Sequence, residues 1–333
     1  CLEILHDPVM ARAAGAGAVS AGKWIAALAG QSCNSYRDIT AVAASATAMN
    51  AVAANSPAVA AIFRTKTALD IVKNNQSAWA TLVACTDGVL TPAVCDLAGI
   101  DPTDYADGMT AVAASETAMT AVAASETAIK AIAASYNGIA AIYSNATALA
   151  KWNAKPSAVS AIAGTSSVAI GKAAVKLAGL APDNFADMAA VAASDTAMKL
   201  VTASAMCLAK FIGSAAAKTA LIDHNDMLQK YRAAIWTAVT GGTDYFTSQR
   251  GQKDEDVVTN ASLTNAAYIM FAIPGGYQSG SGVTVCCHGH NGKEAARASG
   301  SYSDNNKRYV LLGGGTFTEV DDGMVRTWVY KTK

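Results

Sequence analysis

The sequence predicts a mainly α-helical protein with a separate β-domain, in which a solenoid of short alanine-rich helices precedes a small antiparallel β-sandwich. Three observations predict this fold. A ten-residue sequence motif recurs within residues 41–220. The motif is rich in alanine, which favours helices. Towards the end of the chain, glycine, serine, tyrosine and valine become more frequent in its place. Repeats at a fixed period indicate an array of similar structural units.

Four regions are expected along the 333 residues. They are a helical attachment region (1–40), the repeat array (41–220), a connecting helix (221–240) and the β-sandwich (241–333). Within the array a longer phrase also recurs, because residues 97–115 resemble residues 177–194. The array is therefore expected to contain duplicated halves near 97–150 and 177–215.

The ten-residue period argues against one continuous helix. Ten residues at about 100° each advance by about 1000°, which is about 80° short of three full turns. An apolar stripe with this period would rotate around the helix within about four or five repeats, so no neighbouring element could bury it. The helix is therefore expected to break once in every repeat.

A serine marks the expected break. Ser45, Ser115, Ser125 and Ser194 occupy the same place in their repeats, and serine is a favourable N-cap residue. An acidic residue follows each of the last three serines, where its charge complements the helix dipole. Each repeat is therefore expected to form one helix of about two turns that is capped by its own serine.

Pairs of larger apolar residues are expected to form the core of the array. The two members of a pair are three positions apart and share one helix face. The predicted core residues are Met49, Val52, Met119, Val122, Ile129, Ile132, Met198 and Val201. Because a two-turn helix is not stable alone in water, these helices must stack on copies of themselves.

Two stretches, residues 62–96 and 151–176, interrupt the regular phrase. They contain Trp79 and Trp152, and two interpretations remain open for them. The tryptophans either plug gaps in the packing or form surfaces that dock a partner.

The end of the chain is typical of a β-domain. Strands are expected within residues 266–274, 282–289, 307–320 and 324–333, with an Asp-Gly hairpin before the last. A polar stretch at 288–309 suits ligands such as sugars, and an ordinary solvated loop is the alternative. The candidate binding residues are His288, His290, Asn291, Tyr302, Asp304, Asn305 and Arg308.

Little in the sequence indicates catalysis or cofactor binding. Cys85 and Cys95 flank nine residues and are candidates for a disulfide. Cys286, His288 and His290 would share one strand face, but a fourth ligand is not evident, so no metal site is expected. We find no clustered acid pair or nucleophile motif and expect no catalytic residues, no enzymatic activity and no cofactor.

The charge and hydropathy patterns exclude two kinds of partner. The formal net charge is zero and only 15% of residues are charged, so no electrostatic footprint for nucleic acid is present. No uninterrupted run of about 18 apolar residues is present, so no membrane span is expected.

The "AVAASxTAM" decapeptide and the "LAGLxPxxFADMxAVAAS" phrase resemble repeats in tail-fibre and related virion fibre proteins of tailed bacteriophages, over roughly residues 35–215. The resemblance implies a structural virion protein, assembled in the host cytoplasm and extracellular in the mature particle. It implies a homo-oligomer, usually a trimer, that contacts other virion proteins and carries a distal β-domain for a host receptor, a glycan or a protein. Two alternatives remain: a bacterial extracellular adhesin or filament subunit, and an accessory protein of a glycan hydrolase.

Overall fold

The structure, a computed structural model, describes residues 17–204, residues 214–240 and the backbone of seven strands between residues 246 and 331. The chain divides into two compact units, Cys1–Leu177 and Ala178–Lys333. The boundary between them lies inside the predicted array of residues 41–220. Residues 17–204 and 214–240 contain many short packed helices and no strand, which confirms the helical part of the fold prediction.

The first unit is built from helices that mostly contain eight or nine residues. In chain order they are α1 (Ala18–Leu28), α2 (Ile39–Ala44), α3 (Ala46–Ala53), α4 (Ser56–Arg64), α5 (Lys66–Asn74), α6 (Gln76–Val83), α7 (Asp87–Ala98), α8 (Met109–Ala114), α9 (Glu116–Ala124), α10 (Glu126–Ala134), α11 (Tyr136–Ser144), α12 (Ala146–Asn153), α13 (Pro156–Ala163) and α14 (Ser167–Leu177). A 3₁₀-helix at Pro102–Tyr105 separates α7 from α8.

Single extended residues separate the helices of the regular repeats. Ser115, Ser125 and Ser135 have φ between −105° and −88° and ψ between 108° and 131°, and each ends one helix and begins the next. The chain turns sharply at the two-residue break formed by Ala54 and Asn55, where α3 and α4 meet at 102°. In the described part of the chain no single helix is long and apolar enough to cross a membrane, although three bent helix pairs together have the required length and composition.

The serines at these breaks cap the helices that follow them. Each accepts a hydrogen bond of 3.2 Å from the backbone N–H three residues later, and the pairs are Ser45 with Ala48, Ser115 with Ala118, Ser125 with Ala128, and Ser194 with Ala197. Asn55, Asn75 and Asn145 cap in the same way. Ser135 is different, because its side chain makes no capping bond and its hydroxyl lies beside the Cys85 thiol.

Most helices of the first unit pack against the helix three positions further along the chain. The pairs are α1 with α4, α2 with α5, α3 with α6, α4 with α7, α7 with α10, α8 with α11, α9 with α12, α10 with α13, and α11 with α14. Side-chain hydrogen bonds follow the same spacing, because Arg64 with Asp96, Lys151 with Thr120, and Thr165 with Ala133 lie 31 or 32 residues apart. Three consecutive helices with their breaks, about 30 residues, therefore bring the chain back over itself.

Small and medium side chains fill the space between these helices. All eight predicted core residues are buried, and none is more than 1% exposed. The alanines that donate to the capping serines, such as Ala118 and Ala128, are completely buried as well. A methyl group at this position lets neighbouring backbones approach closely, which explains why the repeat is so rich in alanine.

Three helices begin in the same sequence context but are capped in two ways. Asp38 accepts from the Ala41 N–H at 3.0 Å to start α2, and Asp187 accepts from the Ala190 N–H at 2.9 Å. At the start of α8 the inserted Gly108 takes the capping position with φ 85° and ψ −161°. There the carboxylate of Asp87, from the start of α7, accepts the Met109 N–H at 3.2 Å.

The second unit contains five described helices, which are α15 (Met188–Ala193), α16 (Asp195–Ala203), α17 (Ala215–Asp223), α18 (Asn225–Lys230) and α19 (Arg232–Thr240), and a 3₁₀-helix at Pro182–Asn184. The prediction of one connecting helix over residues 221–240 is wrong, because the chain breaks at His224 and Tyr231. The Tyr231 hydroxyl donates to the Asp195 carboxylate at 2.7 Å, which anchors the second break against α16.

Seven strands follow in the second unit, and only their backbones are described. They are β1 (Phe246–Gln252), β2 (Ala267–Ala272), β3 (Val283–Gly289), β4 (Glu294–Gly300), β5 (Lys307–Leu311), β6 (Gly315–Glu319) and β7 (Val325–Lys331). They form two antiparallel sheets, with the orders β1-β7-β2-β5 and β4-β3-β6. The predicted Asp-Gly hairpin before β7 lies outside the described residues.

Candidate functional site

A groove of about 570 Å³ opens on the first unit, beside the side chain of Trp79. We call it the Trp79 groove. Its walls come from α5, α6, α10 and α13 and from the segment that precedes α14. Its volume lies within the range of about 300–1,000 Å³ that is typical of small-molecule sites.

The two irregular stretches of the sequence meet at this groove. Lys73 and Trp79 belong to residues 62–96, whereas Ser157 and Ser160 belong to residues 151–176. The regular helix α10 lies between them and contributes Glu126, among other residues. The stretches that depart from the repeat therefore supply most of the chemistry of the groove.

The groove exists because the Trp79 position is not covered by another helix. Aligned with the regular repeat, Trp79 takes the place of Met119, which is 1% exposed, yet Trp79 is only half-buried. Its helix α6 contacts α14 more than α9, unlike the pairing of the neighbouring helices, and the inserted residues 99–108 lie between α6 and α9 in the chain. Val159 of α13 holds the same repeat position and is 46% exposed.

The two tryptophans of the irregular stretches have different roles. Trp152 is 2% exposed and fills the core, as the packing interpretation expects. Trp79 lines the groove and does not fill the core. The composition of the two stretches does not distinguish these tryptophans, but their positions within the repeat do. Trp152 stands where a regular repeat has a buried Val, whereas Trp79 stands where it has a Met.

The groove carries an excess of positive charge. Two lysines, Lys73 and Lys130, and one acid, Glu126, line it. The Lys73 ammonium lies 5.3 Å from the centre of the Trp79 ring, which is a cation–π distance. Asp70 lies close enough for both lysines to help lower the pKa of its carboxyl, although its hydrogen bond from Lys66 is the main cause.

Hydroxyl groups line the opposite wall, and one of them is unsatisfied. The Ser157 Oγ is buried and has no hydrogen-bond partner among the described residues. The neighbouring Thr165 hydroxyl is within 3.0 Å of the carbonyl oxygens of both Ala133 and Ala161, so the fold satisfies it. Ser157 therefore offers the polar atom that the fold itself leaves without a partner.

The predicted disulfide between Cys85 and Cys95 is not formed, because both thiols are free. Residues 87–95 lie within α7, and this helical stretch alone rises by about 12 Å. A disulfide needs Cα atoms within about 7 Å of each other. Burial is the main reason that the pKa of the Cys85 thiol rises to about 12 and that of the Cys95 thiol to about 11. Both thiols therefore stay protonated at neutral pH.

The candidate binding residues near the end of the chain are described only in part. His288 lies in β3 and Arg308 in β5, and only their backbones are described. His290, Asn291, Tyr302, Asp304 and Asn305 lie outside the described residues. Where side chains are described, no group of three or more His, Cys, Asp or Glu residues is placed to hold a metal ion.

No protein-family model matches this chain, and a comparison with curated proteins finds no match either.

Proposed function

We propose that this chain is a structural fibre protein of a tailed-phage virion. In this proposal the helical repeats form a solenoid that serves as a spacer shaft. The C-terminal strands form a small β-sandwich that contacts a host receptor, a glycan by preference, or a partner protein. The proposal assigns no catalysis, cofactor, nucleic-acid partner or membrane span to the chain.

One observation supports the shaft most strongly, namely that most helices of the first unit pack on the helix three positions along the chain. In the proposed shaft, each layer of three helices presents the same kind of face above and below, so further layers add length without new chemistry. Stability then grows by nearest-neighbour contacts, as in other repeat proteins. The quoted decapeptide and its resemblance to phage fibre repeats supply the virion assignment.

Two deletions test the layered shaft. Removing residues 116–145 excises three helices, joins Ser115 to Ala146 and preserves both a capping serine and the three-helix phase. We expect this variant to fold cooperatively and to be shorter by about 10 Å, one helix-packing distance. Removing residues 116–135 excises two helices, and we expect it to lose cooperative unfolding because every later helix meets the wrong neighbour.

Thermal unfolding followed by circular dichroism and small-angle X-ray scattering would separate these outcomes. Equal stability of the two deletion variants would contradict the three-helix layer.

The virion assignment has its own test. We expect the purified chain to be a homo-oligomer, with three copies favoured by the resemblance, in sedimentation analysis. An antibody against a tag at Lys333 should label phage particles at a fixed number per particle. A monomer that is absent from purified particles would contradict the assignment, and a secreted chain bound to bacterial cells would favour the adhesin alternative.

A further inference from the structure

We propose that the Trp79 groove binds an acidic sugar, a pyranose that carries a carboxylate, as part of a surface polysaccharide. This places a glycan site in the helical array, apart from the candidate residues near the end of the chain. The site itself is inferred from the lining of the groove. Only the source of the sugar, the surface of a host cell, rests on the proposed function.

The aromatic wall suits the apolar face of a sugar ring. Trp79 is half-buried, so the packing holds the indole while part of its surface stays open to the groove. The C–H groups on one side of a pyranose need such a flat apolar partner. A pyranose also suits a wide groove of about 570 Å³ lined largely by small side chains such as Ala133 and Gly164.

The lysines favour an acidic sugar over a neutral one. Because the Lys73 ammonium lies over the Trp79 indole, a sugar carboxylate beside that indole falls within reach of a cation. Lys130 adds a second cation, and Glu126 is the one acid in the lining. The nearby Asp70 is paired with Lys66 and also attracts Lys73 and Lys130, but the Lys66–Asp70 pair is neutral as a whole and leaves the formal charge of the groove positive.

The hydroxyl wall gives the sugar a polar anchor. The Ser157 Oγ is buried without a partner among the described residues, and a ligand hydroxyl would satisfy it. Ser160 on the same helix lies at the exposed side of the groove. An aromatic ring, two cations and an unsatisfied hydroxyl thus line the groove from four separate helices, α5, α6, α10 and α13.

Binding of methyl glucuronide and of neutral methyl glucoside to the full chain, measured by NMR titration, tests the site. We expect saturable binding of the glucuronide at millimolar concentration, about fivefold to tenfold tighter than that of the glucoside. The Lys73→Ala/Lys130→Ala variant should lose this preference, and Ser157→Ala should weaken both sugars to a similar extent. The control Lys23→Ala/Lys199→Ala removes two exposed lysines that do not line the groove and should bind as the wild type does.

Three results would overturn the proposal. They are no saturable binding of either sugar at about 20 mM, equal affinity for both sugars, and an equal loss of preference in the control variant. Circular dichroism melting curves would show that each variant is folded. Because this measurement uses free sugars and the isolated chain, it can fail while the protein is found on particles, and it can succeed while the virion assignment fails.

Discussion

The two copies of the longer phrase, residues 97–115 and 177–194, start their helices with carboxylates from different places. In the later copy Asp187 caps its own helix through the Ala190 N–H. In the earlier copy the insertion of Gly108 displaces the equivalent Asp107, and Asp87 from 22 residues away supplies the carboxylate to Met109. The comparison shows that the start of the helix requires an acceptor, whereas the position of that acceptor in the sequence can change.

Gly108→Ala should have the largest effect on this comparison. The backbone at Gly108 has φ 85° and ψ −161°, a conformation that is nearly restricted to glycine, and an added Cβ would collide with the Asp87 carboxylate. We expect a loss of about 3 kcal/mol in the free energy of unfolding, from strain and the lost cap together. Urea denaturation followed by circular dichroism would measure it.

Gly88→Ala is the matched control for this substitution. Gly88 lies in α7, an added Cβ there would meet nothing within 4 Å, and alanine is the better helix former. We expect a gain of about 0.5–1 kcal/mol. Equal losses at Gly88 and Gly108 would contradict the account of the insertion.

Replacement of the carboxylates ranks next. Asp87→Ala should cost about 2 kcal/mol, because it removes the cap and leaves the N–H of the buried Met109 without an acceptor. Asp187→Ala should cost about 1 kcal/mol, a typical value for a lost N-cap. Asp107→Ala should change stability by less than about 0.5 kcal/mol, since this exposed residue no longer caps a helix. A large loss of stability in Asp107→Ala and none in Asp87→Ala would contradict the assignment of Asp87 as the cap of α8.

Much of the helical fold could be predicted because the repeat encodes it locally. A serine that competes for backbone hydrogen bonds, a following acid and a period that fits no straight helix are all visible in the sequence. The Asp87 cap was missed because it joins residues 22 positions apart, and the one signal for it was the extra Gly108 in the alignment of the two phrases. The break at Tyr231 was missed because Asp195, which accepts the hydrogen bond from the Tyr231 hydroxyl, lies 36 residues earlier in the chain.

The capping serines provide a smaller and more local comparison. Ser115→Ala should cost about 1 kcal/mol, because the Ala118 N–H loses its acceptor. Ser135→Ala should cost less than Ser115→Ala, since Ser135 makes no capping bond and its buried hydroxyl loses only its contact with the Cys85 thiol. Both substitutions introduce the same residue at the same repeat position, so the larger fall in urea midpoint should follow the lost cap. Equal losses would show that the serines act in some way other than capping.

The pH dependence of stability should show the smallest of these effects. The hydrogen bond from the Ala41 N–H is the main reason that the pKa of the Asp38 carboxyl lies below its ordinary value of 3.8. The folded state therefore favours the ionised form of this capping residue. A lowered pKa contributes stability that is present above pH 3.8 and is lost as the pH falls below it. Asp38→Asn keeps an acceptor oxygen but cannot ionise, so its urea midpoint should fall less than that of the wild type between pH 5 and pH 2. If the urea midpoints of the wild type and of Asp38→Asn fell in parallel with pH, the result would contradict capping by the ionised carboxylate.

The groove was only partly predictable. The irregular wording of residues 62–96 and 151–176 marked the right stretches, and it left open whether each tryptophan fills the core or faces a partner. The answer depends on which helices pack together, and the pairing changes between α6 and α9, on either side of the inserted residues 99–108. That insertion begins about 20 residues after Trp79, so repeat spacing alone does not show the change.

The backbone ¹³Cα chemical shifts of residues 111–150 test the central claim most directly. The account predicts extended values at Ser115, Ser125 and Ser135, with helical values on both sides of each serine. Helical values that continue through all three serines would mean one unbroken cylinder about 60 Å long, and that result would contradict the stacked short helices on which the proposed shaft depends.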